Sequence, residues 1–124
     1  MTLALIAAGG AVGAVSRYLI DSAILDRFAG AFPIGILVVN VSGAFAVGLL
    51  AALIVDRGVL PADLRAPLMV GFLGAYTTFS TLMVDSWRLI EDGLPLLALG
   101  NLVGSVAIGL VAVVAGLWLG RSFG

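Results

Sequence analysis

The sequence contains no cysteine, no histidine and no lysine. Without cysteine there can be no disulfide framework. Without cysteine and histidine, the usual zinc-ligand patterns and the nucleophilic triads and dyads that rely on them are excluded. Charge is scarce too: Asp, Glu and Arg make up 10% of the chain, against about a quarter in a soluble domain. The net charge of −1 gives no electrostatic footprint for nucleic acid. With 62% hydrophobic residues in 124, the chain cannot coat a soluble globule with polar surface, and it has room for one domain. What remains is an integral membrane protein. Its chemistry must come from backbone groups, hydroxyls, amides, aromatic rings and a few carboxylates. No catalytic constellation is visible, so we expect no enzymatic activity.

A membrane-crossing helix needs roughly 20 mainly apolar residues. Residues 33–55, 66–84 and 94–120 carry no charge, and the first apolar run continues past Arg17 through Tyr18. The pattern predicts an all-α membrane protein with one four-helix domain over 1–124. Its spans lie at about 3–24, 33–55, 66–90 and 94–120. No basic segment precedes the first run, and Arg17 stands where cleavage would fall. Both features favour a retained span over a signal peptide. Asp21, Asp26 and Arg27 are expected in the first connection, Asp56 to Arg65 in the second, and Arg88 to Asp92 in the third. Pro33, Pro67 and Pro95 fall near the starts of spans two, three and four, where a missing N–H is tolerated. The six arginines divide evenly between the two sides. That balance is compatible with insertion in both directions, or with failure of the positive-inside rule for this chain.

Polar groups inside apolar spans mark candidate function. Asn40 offers two donors and an acceptor, either as interhelical glue or as an anion ligand. The stretch 71–82 (GFLGAYTTFSTL) puts two glycines and a hydroxyl-rich run in mid-span. One reading is a broken helix whose carbonyls near Gly74 and Thr77 hold a cation, while its N–H and hydroxyl groups face an anion. The other is a continuous helix with hydroxyls bonded back to carbonyls one turn earlier. Asn101 and Ser105 share one face of span four, for packing or for lining a path. Trp87 and Trp118 suit membrane interfaces. Small-residue pairs such as Gly9 with Gly13, Gly100 with Gly104 and Gly116 with Gly120 allow close helix approach, within the bundle or between subunits.

These residues resemble the Fluc (CrcB) fluoride channels of bacteria along essentially the whole chain. The glycine-rich first span ending in Arg17-Tyr18 is similar to the family's first helix. Asn40-Val41-Ser42-Gly43 resembles its Asn-x-x-Gly motif, 71–81 its third-helix signature, and Asn101 to Ser105 its fourth helix. The resemblance implies a passive, fluoride-selective channel that releases fluoride across the bacterial plasma (inner) membrane. It also implies an antiparallel, dual-topology dimer with a broken third helix. A structural Na+ would sit at the dimer centre, held by the carbonyls of Gly74 and Thr77. Asn40, Phe79, Ser80, Thr81, Leu82, Asn101 and Ser105 would belong to the fluoride pathway. Leu82 stands where the family usually has a second phenylalanine, which raises a heterodimer with a related chain beside the homodimer. Two rivals are a small dual-topology multidrug or cation exporter and a non-conducting partner subunit. The exporter would need a carboxylate deep in the membrane. The first span has none, and Asp85 lies near the end of its own span.

Overall fold

The computed structural model describes residues 1–123. Helix α1 spans Thr2–Arg27. Asp21, Asp26 and Arg27 therefore lie in its last turns and not in the first connection. Nothing before Gly30 and Pro33 interrupts the helix, and Arg27 sits favourably at its negative end. Helix α2 runs over Ile34–Leu50 and is prolonged by a π-wound segment, Ala51–Asp56. The Arg57 N–H donates to the Ala52 carbonyl at 2.8 Å, one residue further back than an α-helix would allow. Gly58, at φ 61°, ends it. A short 3-10 turn, Ala62–Leu64, leads into α3. That helix is π-wound over Ala66–Leu73 and α-wound over Gly74–Tyr76. Helix α4 spans Phe79–Glu91 and α5 spans Pro95–Ser122.

The α4–α5 turn is a Schellman motif. Gly93 takes φ 75°, its N–H donates to the Ile90 carbonyl at 3.0 Å, and the Leu94 N–H donates to the Leu89 carbonyl at 2.8 Å. Pro95 then opens α5 at a position that needs no N–H. Four segments are long and apolar enough to cross a membrane: Thr2–Arg27, Ile34–Asp56, Ala62–Glu91 and Pro95–Ser122.

Glycines set how these segments meet. On one side α2 lies along α5. A Cβ at Gly48 would strike the Val113 carbonyl, one at Gly116 the Phe45 carbonyl, and one at Gly120 would crowd Ala52 and Leu49. On the other side α1 lies along α3. There Gly9 faces Pro67, Gly13 faces Phe72, and Gly71 faces Ile6. Backbones thus approach to a distance that any side chain would forbid. Between the two seams sits a small core of Val39, Leu73 and Tyr76, with Phe72 stacked on Tyr76 at 5.7 Å between ring centroids. At one end, Arg121 Nε and Nη2 both reach Asp56 Oδ2 at 2.8 Å, tying the ends of α5 and α2. In contrast, Gly100, Gly104 and Gly109 have nothing within 4 Å of a built Cβ. Only 6% of the apolar window of α1 and of α5 is buried, against 28% in the second and third segments. Most of the surface of α1 and α5 is therefore left for lipid or another chain.

This division predicts opposite outcomes for two similar substitutions. Gly116→Ala should destabilise the subunit by about 1–3 kcal/mol through overpacking against Phe45. Gly100→Ala should not, because open space receives the methyl and alanine favours helix by about 0.5–1 kcal/mol. Thermal unfolding followed by helical circular dichroism in detergent distinguishes them.

Candidate functional site

Between α3 and α4 the chain leaves helical geometry for two residues. Thr77 has φ −82° and ψ 155°, and Thr78 has φ −148° and ψ 113°. The pair lies near the middle of Ala62–Glu91. Such a stretch strips carbonyls and N–H groups of their ordinary partners, which is costly where water is absent. Here α2 supplies a substitute. The Thr78 N–H donates to Asn40 Oδ1 at 2.8 Å, and Asn40 Nδ2 donates to the Thr78 carbonyl at 3.1 Å. One amide side chain therefore pairs with both the N–H and the carbonyl of one residue, as a neighbouring strand would. One turn along α2, Gly43 makes room. A Cβ there would collide with the Thr77 methyl and press on the Tyr76 ring.

Two more contacts fix the residues on either side. Ser42 Oγ donates to the Val39 carbonyl at 3.0 Å, so the Tyr76 hydroxyl is the donor in its 2.9 Å bond to Ser42. Thr77 Oγ1 donates back to the Leu73 carbonyl at 2.9 Å. After the extended pair, Thr78 caps α4. Its Oγ1 accepts the Thr81 N–H at 3.2 Å and donates to Thr81 Oγ1 at 3.0 Å, with Ser80 Oγ 3.4 Å away. Ser80 and Thr81 are thus gathered around one hydroxyl. The Thr81 hydroxyl hydrogen keeps no acceptor of its own.

The break leaves the carbonyls of residues 74–77 without their helical donors, those of Gly74 and Thr77 among them. The Gly74 carbonyl would take the Thr78 N–H, which goes to Asn40. The Thr77 carbonyl would take the Thr81 N–H, which goes to Thr78 Oγ1. Both residues line a groove of about 540 Å³ with Asn40, Phe79, Leu82 and Ser105. No acidic or basic side chain lines it. Phe79 is 75% exposed within it, Leu82 is buried in its wall, and Ser105 Oγ is buried without a partner. A Cβ at Gly74 would meet only ordinary contacts, so packing inside this chain does not require glycine there.

Asn101 is placed differently. It does not line the groove. It is 1% exposed and its Nδ2 donates to Ser86 Oγ at 2.9 Å across the α4–α5 seam. Asn40, Gly74, Thr77, Phe79, Leu82 and Ser105 therefore share one groove, Ser80 and Thr81 flank it, and Asn101 lies apart. Sequence reasoning missed Ser86 and the Tyr76–Ser42 bond. Ser86 at helical spacing from Leu82 carries no signal of its own. Nor does periodicity point a tyrosine on one span to a serine on another.

Removing the Asn40 amide should orphan both the N–H and the carbonyl of Thr78. Asn40→Ala is expected to lower stability by about 2–3 kcal/mol, from two bonds of roughly 1 kcal/mol each plus a desolvation cost. Asn40→Asp keeps an acceptor for the Thr78 N–H but sets a second acceptor against the Thr78 carbonyl and adds a charge in an apolar span, so it should lose at least as much. Chemical denaturation in detergent, with the two variants compared side by side, measures the difference.

Comparison with known proteins agrees with the geometry in extent. Residues 4–117 match the family model described as CrcB-like protein, Camphor Resistance (CrcB). The chain is 44% identical over 121 residues to a protein from Solibacter usitatus named fluoride-specific ion channel FluC, covering 98% of this chain and 99% of that one. A protein of the same name from Magnetococcus marinus is 42% identical over 121 residues, covering 98% of each. A third, from Methylococcus capsulatus, is 42% identical over 121 residues; the match takes 98% of this chain but 53% of that longer protein. A match of this length and identity makes the protein a multi-pass membrane protein of the CrcB-like family.

Proposed function

We propose that the protein is a passive, fluoride-selective ion channel of the bacterial plasma membrane, not an enzyme, that lets fluoride leave the cytoplasm. The observation that carries this reading is the uncharged groove at residues 77–78, where hydroxyl donors and one phenylalanine surround an interrupted helix. The names of the 42–44% identical relatives support the choice of ion.

Fluoride is small and tightly hydrated, so bringing it bare into a low-dielectric interior costs tens of kcal/mol by Born reasoning. A path must replace water with inward-facing donors. Among the described residues the hydroxyl hydrogens of Thr81 and Ser105 have no acceptors, and Asn40 keeps one amide hydrogen beyond its bond to Thr78. The positive edge of the exposed Phe79 ring supplies a further contact. A fixed cation in the path would hold the ion too tightly to release it.

Several parts of the proposal concern assembly. The groove is open and apolar apart from its few polar groups, and Gly74 has space over it. A second copy in the opposite orientation, giving an antiparallel dual-topology homodimer, would close it. The freed carbonyls of Gly74 and Thr77 suit a hard cation that takes neutral oxygen ligands, and two copies would double them. Na+ held there would add positive potential beside the anion path and tie the extended pairs together. Leu82 favours a second reading, in which a related chain contributes the ring that this one lacks and this chain serves as its partner subunit.

The protein purified alone and placed in liposomes should release fluoride down its gradient and exclude chloride. Phe79→Ala should slow fluoride release about tenfold, the equivalent of 1.4 kcal/mol on the barrier. A fluoride electrode follows both. Proton-coupled cation transport without fluoride flux would overturn the channel reading. Flux that appears only when a related chain is added would select the heterodimer.

A further inference from the structure

The seam between α4 and α5 holds a second polar cluster, which adjoins the groove through Ser105. Ser86 lies on the same face of α4 as Leu82 and Leu89, and is 3% exposed. Opposite it stands Asn101, one of the two largest fully buried side chains. Asn101 Nδ2 donates to Ser86 Oγ at 2.9 Å. Ser105, one turn further along α5, presents a buried Oγ with no partner. Three donor hydrogens here have no acceptor among the described residues. They are the second amide hydrogen of Asn101, the hydroxyl hydrogen of Ser86 and that of Ser105.

A purely structural serine in an apolar helix turns its hydroxyl back to a carbonyl one turn earlier. Thr77 does so with Leu73, but Ser86 and Ser105 do not. Unspent buried donors are expensive and call for an explanation. Surplus donors along a buried seam match a small anion that has shed its water. Asn101 and Ser105 are four residues apart and share one face of α5. Ser86 is the group that fixes which way the Asn101 amide turns.

We propose that Ser86 is a positioning residue for anion passage: it holds the Asn101 amide so that its free N–H and the Ser105 hydroxyl form a donor pair for a small, hard anion along the α4–α5 seam. The proposal rests on the channel reading above and adds to it a positioning residue, Ser86.

Fluoride efflux from liposomes, measured over a range of fluoride concentrations, tests it with Ser86→Ala and Ser86→Thr. The alanine variant should raise the half-saturating fluoride concentration about tenfold, with a smaller change in maximal rate. The threonine variant, which restores a hydroxyl, should return towards the unmodified protein. A residue that only packs would change thermal stability and the amount of active protein, leaving the half-saturating concentration where it was. Equal half-saturating concentrations in all three proteins would overturn the role of Ser86 while leaving the channel intact. Absence of fluoride efflux from the unmodified protein would instead overturn the channel reading. If the alanine variant fails to assemble, Ser86→Cys, with a weaker acceptor of similar size, carries the same comparison and should shift the concentration in the same direction.

Discussion

The pairing of the Asn40 amide with both the N–H and the carbonyl of Thr78 makes the rest of the site possible. An extended residue inside an apolar segment has no water to turn to, and a lost peptide bond partner there costs several kcal/mol. Left to itself, the segment would recover those bonds by closing into continuous helix. Asn40 removes that incentive by offering an acceptor and a donor from a neighbouring helix, at the spacing a peptide group would provide. Gly43, three residues on and on the same side of α2, leaves the gap into which the Thr77 methyl fits. One residue bonds and the other vacates space. The dihedral angles of 77–78 are thus set as much by α2 as by their own sequence.

The glycines have two different jobs. Gly9, Gly13, Gly71, Gly48, Gly116 and Gly120 are explained by the backbones or side chains that a Cβ would strike. They create the two tight seams, α1 on α3 and α2 on α5, and so hold the interrupted segment from both sides. A Cβ at Gly100, Gly104 or Gly109 would meet nothing within 4 Å among the described residues. Each of these glycines weakens α5 by roughly 0.5–1 kcal/mol relative to alanine, a cost that subunit packing does not offset. Close approach by something outside the subunit would account for it, and the scarcity of buried surface on α5 points the same way.

The four apolar segments were legible because charge is confined to their ends, and that pattern depends on composition alone. Their winding was not. The π turns at Ala51–Asp56 and Ala66–Leu73 depend on how carbonyls shift when helices pack, and no residue type announces them. Around residues 71–82 the sequence allowed two outcomes, and the structure contains a piece of each. Thr77 does bond back to Leu73, as in a continuous helix, while its own ψ has already left helical space. The residues that gather in the groove were recognisable as a set from their resemblance to a known family. Their partners were not. Asn40 could be singled out as an amide in an apolar span, but nothing in one dimension joins it to Thr78, 38 residues away. Asn101 was grouped with Ser105 by helical spacing, yet its amide turns across the seam to Ser86. Periodicity gives the face of a helix, not the atom that face will meet.

One interruption also sets opposite partial charges side by side. Helix α3 ends at Tyr76 with carbonyls pointing onward, and α4 begins at Phe79 with N–H groups pointing back. The partial negative charge of the first end and the partial positive charge of the second therefore lie two residues apart. In a continuous helix these two facing end charges would cancel, and only the outer termini would keep theirs. Opened at residues 77–78, the two ends present a carbonyl side and a donor side to the same uncharged groove. Full charges would make each side stronger but also slower to release what it binds, and they would be costly to keep in an apolar surrounding. Partial charges on a held backbone avoid both costs, provided that the backbone cannot relax. Asn40 meets that condition. The polarity of the groove is only as durable as the two bonds that keep Thr78 from rejoining the helix.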